Sequence, residues 1–321
     1  MKNQLEKALA FPEKTGIING FLIFGAALMK SGNEKEFFAG IDLGGTKILT
    51  VVTDSEKNVL AKTKIATEAA RGVGVVMDNI FKSLDISCQK CGVSADKLSG
   101  IGIGVPGPVN YEKGLVYDCP NLAGWKNIEV RKIIGEKLNV PVFVENDARV
   151  AGLAETRLGA AKGFRHVFYI TVSTGIGSAI IIDGKIYHGA DGAAGEFGQM
   201  KLLDGSILEQ KFAGPAIERL FGLPTTQLAV LIEKNDPGAK KALDHLTHGI
   251  GTFLANVVTL LDPQIIVVGG GVSQLGELIF KPVREKVASL AFSIGAENVK
   301  IVQASLGTDS GALGAVELLF D

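Results

Sequence analysis

The side chains best suited to chemistry in this sequence are acids set among glycines and small residues rather than on charged helical faces. Asp42 opens the stretch Asp42-Leu43-Gly44-Gly45-Thr46-Lys47, which lies between the apolar, β-favouring runs 36–41 and 48–52. That context reads as strand, tight glycine turn, strand. Adjacent glycines permit positive φ and close backbone approach, so their N–H groups can turn toward one anion. Asp42 offers a carboxylate to a hydrated divalent cation, and Thr46 and Lys47 add donors. Taken alone, the stretch is equally consistent with an ordinary Gly-Gly hairpin.

The second half repeats the arrangement. An apolar strand at 166–172 runs into Ser173-Thr174-Gly175-Ile176-Gly177-Ser178, and a strand resumes at 179–182. Two such loops facing each other across a cleft can hold a polyphosphate chain from both sides. Between them, a strand at 141–144 runs into Glu145-Asn146-Asp147-Ala148 and then a helix. Polar side chains at a strand's C-terminal end are where open α/β sheets place their ligands. Farther on, many small residues surround Glu196 in the segment 187–199. A last buried strand at 264–268 ends in Gly269-Gly270-Gly271.

The elements that position these groups follow from apolar periodicity. Strands are predicted near 37–42, 47–54 and 58–65, then a helix over 71–90 with Val73, Val76, Met77, Ile80, Phe81 and Leu84 at helical spacing. A buried strand at 99–105, a helix at 128–138, and the strand and helix around Asp147 follow. Helices at 213–221, 225–233 and 237–260, a strand at 299–303 and a closing helix at 309–319 complete the α/β pattern. A domain boundary is expected within 150–163. The organisation is therefore an extension over 1–36, a small α/β domain over 37–150 and a larger one over 151–321, to which the closing helix need not belong.

Composition narrows the classes. The chain has 321 residues, 46% hydrophobic and 21% charged, with 41 glycines and a net charge of −1. This is a globular composition with no driving force for binding a polyanion or an anionic membrane, so neither nucleic-acid nor membrane partners are expected. Three cysteines, Cys88, Cys91 and Cys119, do not make a disulfide scaffold. Cys88-Gln-Lys-Cys91 lacks a second ligand pair and the strand a redox site needs, and reads as chance. Gly102-x-Gly104-x-x-Gly107 matches a dinucleotide fingerprint but lies in a strand followed by prolines, so it is rejected. No G-x-x-x-x-G-K-[ST] occurs. The apolar segment 17–29 is too short to span a bilayer and lacks an A-x-A-like cleavage site. Two readings stay open for it: packing on the body or a partner subunit, or an upstream artefact ahead of Met29.

These motifs, with Gly104-Val105-Pro106-Gly107-Pro108-Val109, Asn121-Leu122-x-Gly124-Trp125 and His188-Gly189-x-x-Gly192-x-x-Gly195-Glu196-x-Gly198, occur in the order found in the ROK family of sugar kinases and related repressors. The resemblance runs from about residue 37 to the end. It implies an actin-like (ribonuclease-H-like) ATPase fold, two α/β domains around a central cleft, and ATP and Mg²⁺ as cofactors. In that reading Gly44, Gly45, Thr46 and Lys47 form the first phosphate loop and Thr174, Gly175 and Gly177 the second. Gly269, Gly270 and Gly271 form the adenosine loop, and Asp42 meets Mg²⁺ through water. Asp147 is the catalytic base, accepting the proton of the attacking sugar hydroxyl. Gly107, Asn121, Asn146, Glu196, Gln199 and Glu209 line the sugar. A helix N-cap role for Asp147 is compatible with that of base.

The departures from the family pattern bear on substrate. Gln199 stands where the family usually carries histidine, and the cysteine-rich zinc loop that normally follows is replaced by a shorter segment ending in Ile207-Leu208-Glu209. No structural zinc is expected, and Glu209 must be anchored by packing instead. The expected activity is phosphorylation of a hexose at its 6-hydroxyl, glucose before others, in a cytoplasmic homodimer. Rival readings are a kinase for fructose, mannose, N-acetylglucosamine or N-acetylmannosamine, a polyphosphate-using glucokinase, and a sugar-sensing ROK protein without catalysis. The 36 residues ahead of the core are too few for a repressor's winged-helix domain.

Overall fold

β1 (Phe37–Leu43) is nearly continuous in apolar residues, as a strand covered on both faces must be. The computed structural model describes residues 35–119 and 121–320, and the segment 17–29 lies outside them. From β1 the chain turns back antiparallel through β2 (Lys47–Asp54) and β3 (Val59–Ala66), crosses helix α1 (Val73–Lys90), and returns parallel in β4 (Gly100–Val105). A small sheet follows, β5 (Val109–Asn110), β6 (Leu115–Asp118) and β7 (Lys126–Ile128), then α2 (Val130–Leu138) and β8 (Val142–Asn146). The first large sheet has the order β3-β2-β1-β4-β8. β3, at its edge, turns Lys62 and Lys64 to solvent while Ala61 and Thr63 stay buried.

Helix α3 (Asp147–Arg157) leads to a second sheet built in the same way. β9 (Val167–Val172), β10 (Ile176–Ile182) and β11 (Lys185–Ile186) form its antiparallel side. Then come α4 (Leu208–Phe212), α5 (Gly214–Phe221), α6 (Leu228–Glu233) and the long α7 (Pro237–Leu261). β12 (Ile265–Gly269), α8 (Glu277–Leu290), α9 (Ser293–Asn298), β13 (Lys300–Gln303) and α10 (Ser310–Glu317) end the chain. The order β11-β10-β9-β12-β13 repeats that of the first sheet, strand for strand. The internal repetition expected from the two glycine turns is therefore present in the topology.

Each sheet has one outer and one inner helical layer. α1 covers the outer face of the first sheet and α7 with α8 that of the second, each over its own apolar cluster. On the inner faces α10 lies on β1 and β4, α3 lies on β9 and β10, and the two helices pack on each other. The glycines of β4 make this possible. Gly40 and Gly102 are register partners in neighbouring strands, and a Cβ on either would collide with α10 backbone, at Ala312 and Ala315. The apparent dinucleotide fingerprint is thus a helix-packing surface, with Ile101, Ile103 and Val105 directed into the opposite core.

The predicted elements are found, with three differences. The small sheet β5–β7 and the short helices α4 and α9 have too few residues for a periodic signal. The second glycine turn is shorter than expected, because Ile176 and Gly177 already belong to β10. The two-residue strand β11 has no counterpart among the predicted strands; contacts join residues 36–321 into one unit. Among the described residues no helix is long and apolar enough to cross a membrane.

The close packing of α10 generates a test. Gly102→Ala places a methyl against helix backbone that cannot rotate away, and should cost about 1–3 kcal/mol as over-packing. A thermal unfolding midpoint equal to wild type would contradict this packing.

Candidate active site

The site starts from strand register. Asp42 on β1 pairs with Gly104 on β4, and Gly104 pairs with Glu145 on β8, so three neighbouring parallel strands end together. Asn146 is the N-cap of α3: its Oδ1 accepts from the Ala148 and Arg149 amides at 3.0 and 3.2 Å, and its Nδ2 donates to the Gly107 carbonyl at 3.1 Å. The cap is therefore Asn146, not Asp147, and is worth about 1 kcal/mol. Asp147 becomes the first helical residue, with the Ala148 amide donating to its Oδ1 at 2.8 Å. Gly107 sits at φ 89°, where a Cβ would also strike the Asp118 carbonyl, so the loop can meet Asn146 only with glycine here.

Both acids are only partly exposed, and both carboxyls are pushed up. Asp42 rises to about 6 because burial disfavours its charge, with Lys47 opposing. Asp147 rises to about 7 through burial first, then the negative charges of Asp42 and Glu196, with the Ala148 amide opposing. A carboxyl poised near neutrality in a cleft is suited to accept a proton from a hydroxyl. The start of α10 closes the site from behind: a Cβ on Gly311 would lie 2.6 Å from the Asp42 carboxyl carbon.

The first glycine loop is a tight reversal, with the Gly44 amide donating to the Lys47 carbonyl at 2.9 Å. Neither Gly44 nor Gly45 takes positive φ. Close approach is used at Gly44, where a Cβ would lie 3.2 Å from the Lys47 carbonyl, while one on Gly45 would make ordinary contact with Asn121 at 3.4 Å. Thr67 buttresses the loop, its Oγ1 donating to the Gly44 carbonyl at 2.6 Å and its amide to the Thr46 carbonyl at 3.0 Å. In the second loop, Glu209 on α4 accepts from the Ile176 amide at 2.7 Å, and a Cβ on Gly175 would lie 2.6 Å from the same carboxylate oxygen. Glu209 is thus tied to the backbone of the second loop. Gly177, within β10, packs against Ala148 of α3. Gly270, at φ 80° beyond β12, lies over the Val172 carbonyl, so the third glycine run abuts the second loop.

Glu196 and Gln199 are exposed, in and beside a single 3-10 turn (Phe197–Gln199). Behind Glu196 lies a buried network. Arg149, 2% exposed, donates to the Gly192 and Ala194 carbonyls at 2.8 and 2.9 Å and to Glu145 at 3.3 Å, and stands 3.5 Å from Glu196. His188 Nε2 donates to the other oxygen of Glu145 at 2.6 Å and its ring stacks on Tyr111. Thr67 and Arg149 carry no role in the sequence reading. Thr67 leaves no signal there, whereas a lone arginine among the small residues of α3 does. The cysteines take no part: burial pushes the Cys88 and Cys119 thiols up to about 12, and among the described residues no His, Cys, Asp or Glu cluster is placed to hold a metal ion.

A model of the ROK family matches residues 38–321. A glucokinase of Halalkalibacterium halodurans is 30% identical over 308 residues, covering 87% of this chain and 93% of its own. The crystal structure of a ROK family glucokinase from Streptomyces griseus in complex with glucose and AMPPNP superposes with a TM-score of 0.74 at 29% identity, covering 88% of this chain and 98% of that one. The xylose repressor of Bacillus subtilis is 28% identical over 307 residues, covering 89% of this chain and 77% of its own.

The raised carboxyl has a thermodynamic consequence. Between the ordinary carboxylate range and about pH 7 the folded chain holds a proton on Asp147 that the unfolded chain has lost, so stability falls as pH rises through that window. Asp147→Asn should therefore raise the unfolding midpoint at pH 8 and have little effect at pH 4. A lowered midpoint at pH 8 would show that the ionised carboxylate is stabilised by its surroundings.

Proposed function

The chain belongs to the ROK family, and on that premise we propose that it is an ATP-dependent hexose kinase acting on the 6-hydroxyl, with glucose as the first substrate to test. Kinase chemistry is supported above all by Asp147: a carboxyl near neutrality at a strand end, with one glycine loop after β1 of the same sheet and the other after β9 of the second sheet. Phosphoryl transfer demands mainly positioning and charge stabilisation, together with a group that accepts the hydroxyl proton as the oxygen attacks. In this reading Asp147 accepts that proton. Asn146, with one N–H left beyond its bond to Gly107, holds a neighbouring hydroxyl, and Glu196 accepts from hydroxyls farther round the ring. Asn121, beside the first loop, Gly107, Gln199 and the free oxygen of Glu209 complete the polar lining.

The nucleotide fits the backbone cradle. Gly44, Gly45, Thr46 and Lys47 on one side, and Thr174, Gly175 and Gly177 on the other, would hold the phosphates, with Gly269–Gly271 at the adenosine. A side chain at Gly175 would collide with the Glu209 carboxylate, and one at Gly270 with the Val172 carbonyl, so both loops need glycine to keep this backbone path. Mg²⁺ fits Asp42, since one carboxylate plus water and phosphate oxygens suits that ion, and bound there it would neutralise charge developing on the phosphates. The two sheets with their helices are read as two domains, 37–150 and 151–321, closing on the substrates, with α10 returning to the first. Assembly as a homodimer, a cytoplasmic location and the lack of structural zinc belong to the same proposal.

The repressor relative favours a second reading, a sugar-binding ROK protein without turnover. ADP release with ATP and Mg²⁺ against a panel of hexoses and N-acetylhexosamines separates the two. The kinase reading predicts sugar-dependent ADP release, and a kcat roughly 10²- to 10⁴-fold lower in Asp147→Asn with sugar affinity kept. Binding of a hexose with no turnover by wild type would support the sensor, and activity surviving in Asp147→Asn would remove the base assignment.

A further inference from the structure

Arg149 stands two residues after the base, on the same first turn of α3, and faces the loop that carries Glu196. The guanidinium is almost wholly removed from solvent, with a side-chain exposure of 2%. Its Nη2 has two hydrogens, and both are committed, to the carbonyls of Gly192 and Ala194. Those carbonyls belong to an irregular segment in which Gly192 and Gly195 take positive φ, so no strand ladder satisfies them. The same nitrogen lies 3.5 Å from Glu196 Oε1, while the Glu196 side chain remains 45% exposed and open to a ligand. Nη1 donates to Glu145, four residues back near the end of β8.

Glu145 fixes the other end. It is 2% exposed, and its Oε1 also accepts from the Asn146 amide at 2.7 Å, so it is tied to the strand end from which Asp147 emerges. Its Oε2 receives His188 Nε2, and the His188 ring lies 3.7 Å centroid to centroid on Tyr111, 13° from parallel. Tyr111 belongs to the turn between β5 and β6. The small sheet, the end of β8, α3 and the loop 187–196 therefore meet in one buried polar network.

We propose that Arg149 is a positioning residue that sets Glu196 at a fixed distance from Asp147, and so governs how tightly the ring hydroxyls of a sugar are bound without touching the sugar itself. The inference rests on reading the cleft as a sugar site. A planar fork with fixed donors can hydrogen-bond two carbonyls and one carboxylate at once while its charge faces a second carboxylate, which a lysine ammonium on a flexible stem cannot reproduce. The neighbouring small residues of α3, Ala148, Ala151 and Gly152, pack against other elements and leave the loop to Arg149.

The test is a double-mutant cycle in the full-length chain, read by calorimetric binding of glucose and other hexoses and of AMPPNP, with hydrogen exchange of residues 187–199 measured without ligand. Arg149→Met should weaken hexose binding roughly tenfold, leave AMPPNP affinity within about twofold, and add less than about twofold when Glu196 is already alanine. Exchange across the loop should rise by about tenfold or more. Where Arg149→Met does not fold, Arg149→Lys carries the same cycle. Additive effects of Arg149→Met and Glu196→Ala, or unchanged exchange in a wild type that binds hexose, would overturn the inference alone. A wild type that binds no hexose would overturn the sugar reading and the role of Glu196 together.

Discussion

Two carboxyls that repel each other are held in one cleft by the ends of parallel strands, and most of the architecture follows from that constraint. Asp42 and Asp147 come from β1 and from the residue after β8, separated by a strand whose register partner is Gly104, with no side chain to part them. Burial raises both, and the charge of Asp42 raises Asp147 further. Such a pair persists only when its surroundings are rigid enough to prevent relaxation, and here rigidity comes from α3 and α10. α3 carries Asp147 at its start and is capped by Asn146; α10 begins against Asp42. The packing of small residues around the pair maintains this electrostatic strain.

That packing is unusually dependent on glycine. Gly40, Gly102 and Gly314 each meet backbone of the opposing element, α10 on the strands and α3 on α10. With helix and sheet this close, side-chain rotamer freedom cannot absorb a shift, so a displacement of α10 is passed to Asp42 and one of α3 to Asp147. Glu317 extends the coupling at the far end of α10: fully buried, it accepts from Lys57 of the β2–β3 turn at 2.8 Å and pairs with Arg157 of α3 at 3.4 Å. Breaking a buried pair of this kind by removing one partner typically costs about 3–5 kcal/mol.

The strands and long helices were legible in the sequence because their burial is two-sided or strictly amphipathic. β1, β4, β9 and β12 read as apolar runs, and α1 shows its apolar stripe. The glycine loops were legible as turns; of the two uses the sequence allows at Gly44 and Gly45, positive φ is not taken, and close approach is, at Gly44 against the Lys47 carbonyl. The duplicated sheet order shows through two strand–turn–strand units, while the small sheet β5–β7 is too short to leave a period. At the site, the acids were visible through their small-residue surroundings. Their partners were not, because Thr67 and Arg149 are remote in the chain from the loops they hold, and nothing local in a threonine or arginine says which carbonyl it will meet. Asn146 was expected to serve the sugar and serves the helix as well, an ambiguity that only three-dimensional counting of its donors and acceptors resolves.

The central claim is that the Asp42–Asp147 pair sets the proton affinity of the group that activates the hydroxyl. The pH dependence of kcat/KM for the preferred hexose measures it directly in the free protein. The account predicts an acid limb with a midpoint near 7, moved to lower pH in Asp42→Asn because a negative charge beside Asp147 is removed. A limb in the ordinary carboxylate range in wild type, or one that Asp42→Asn leaves in place, would contradict it.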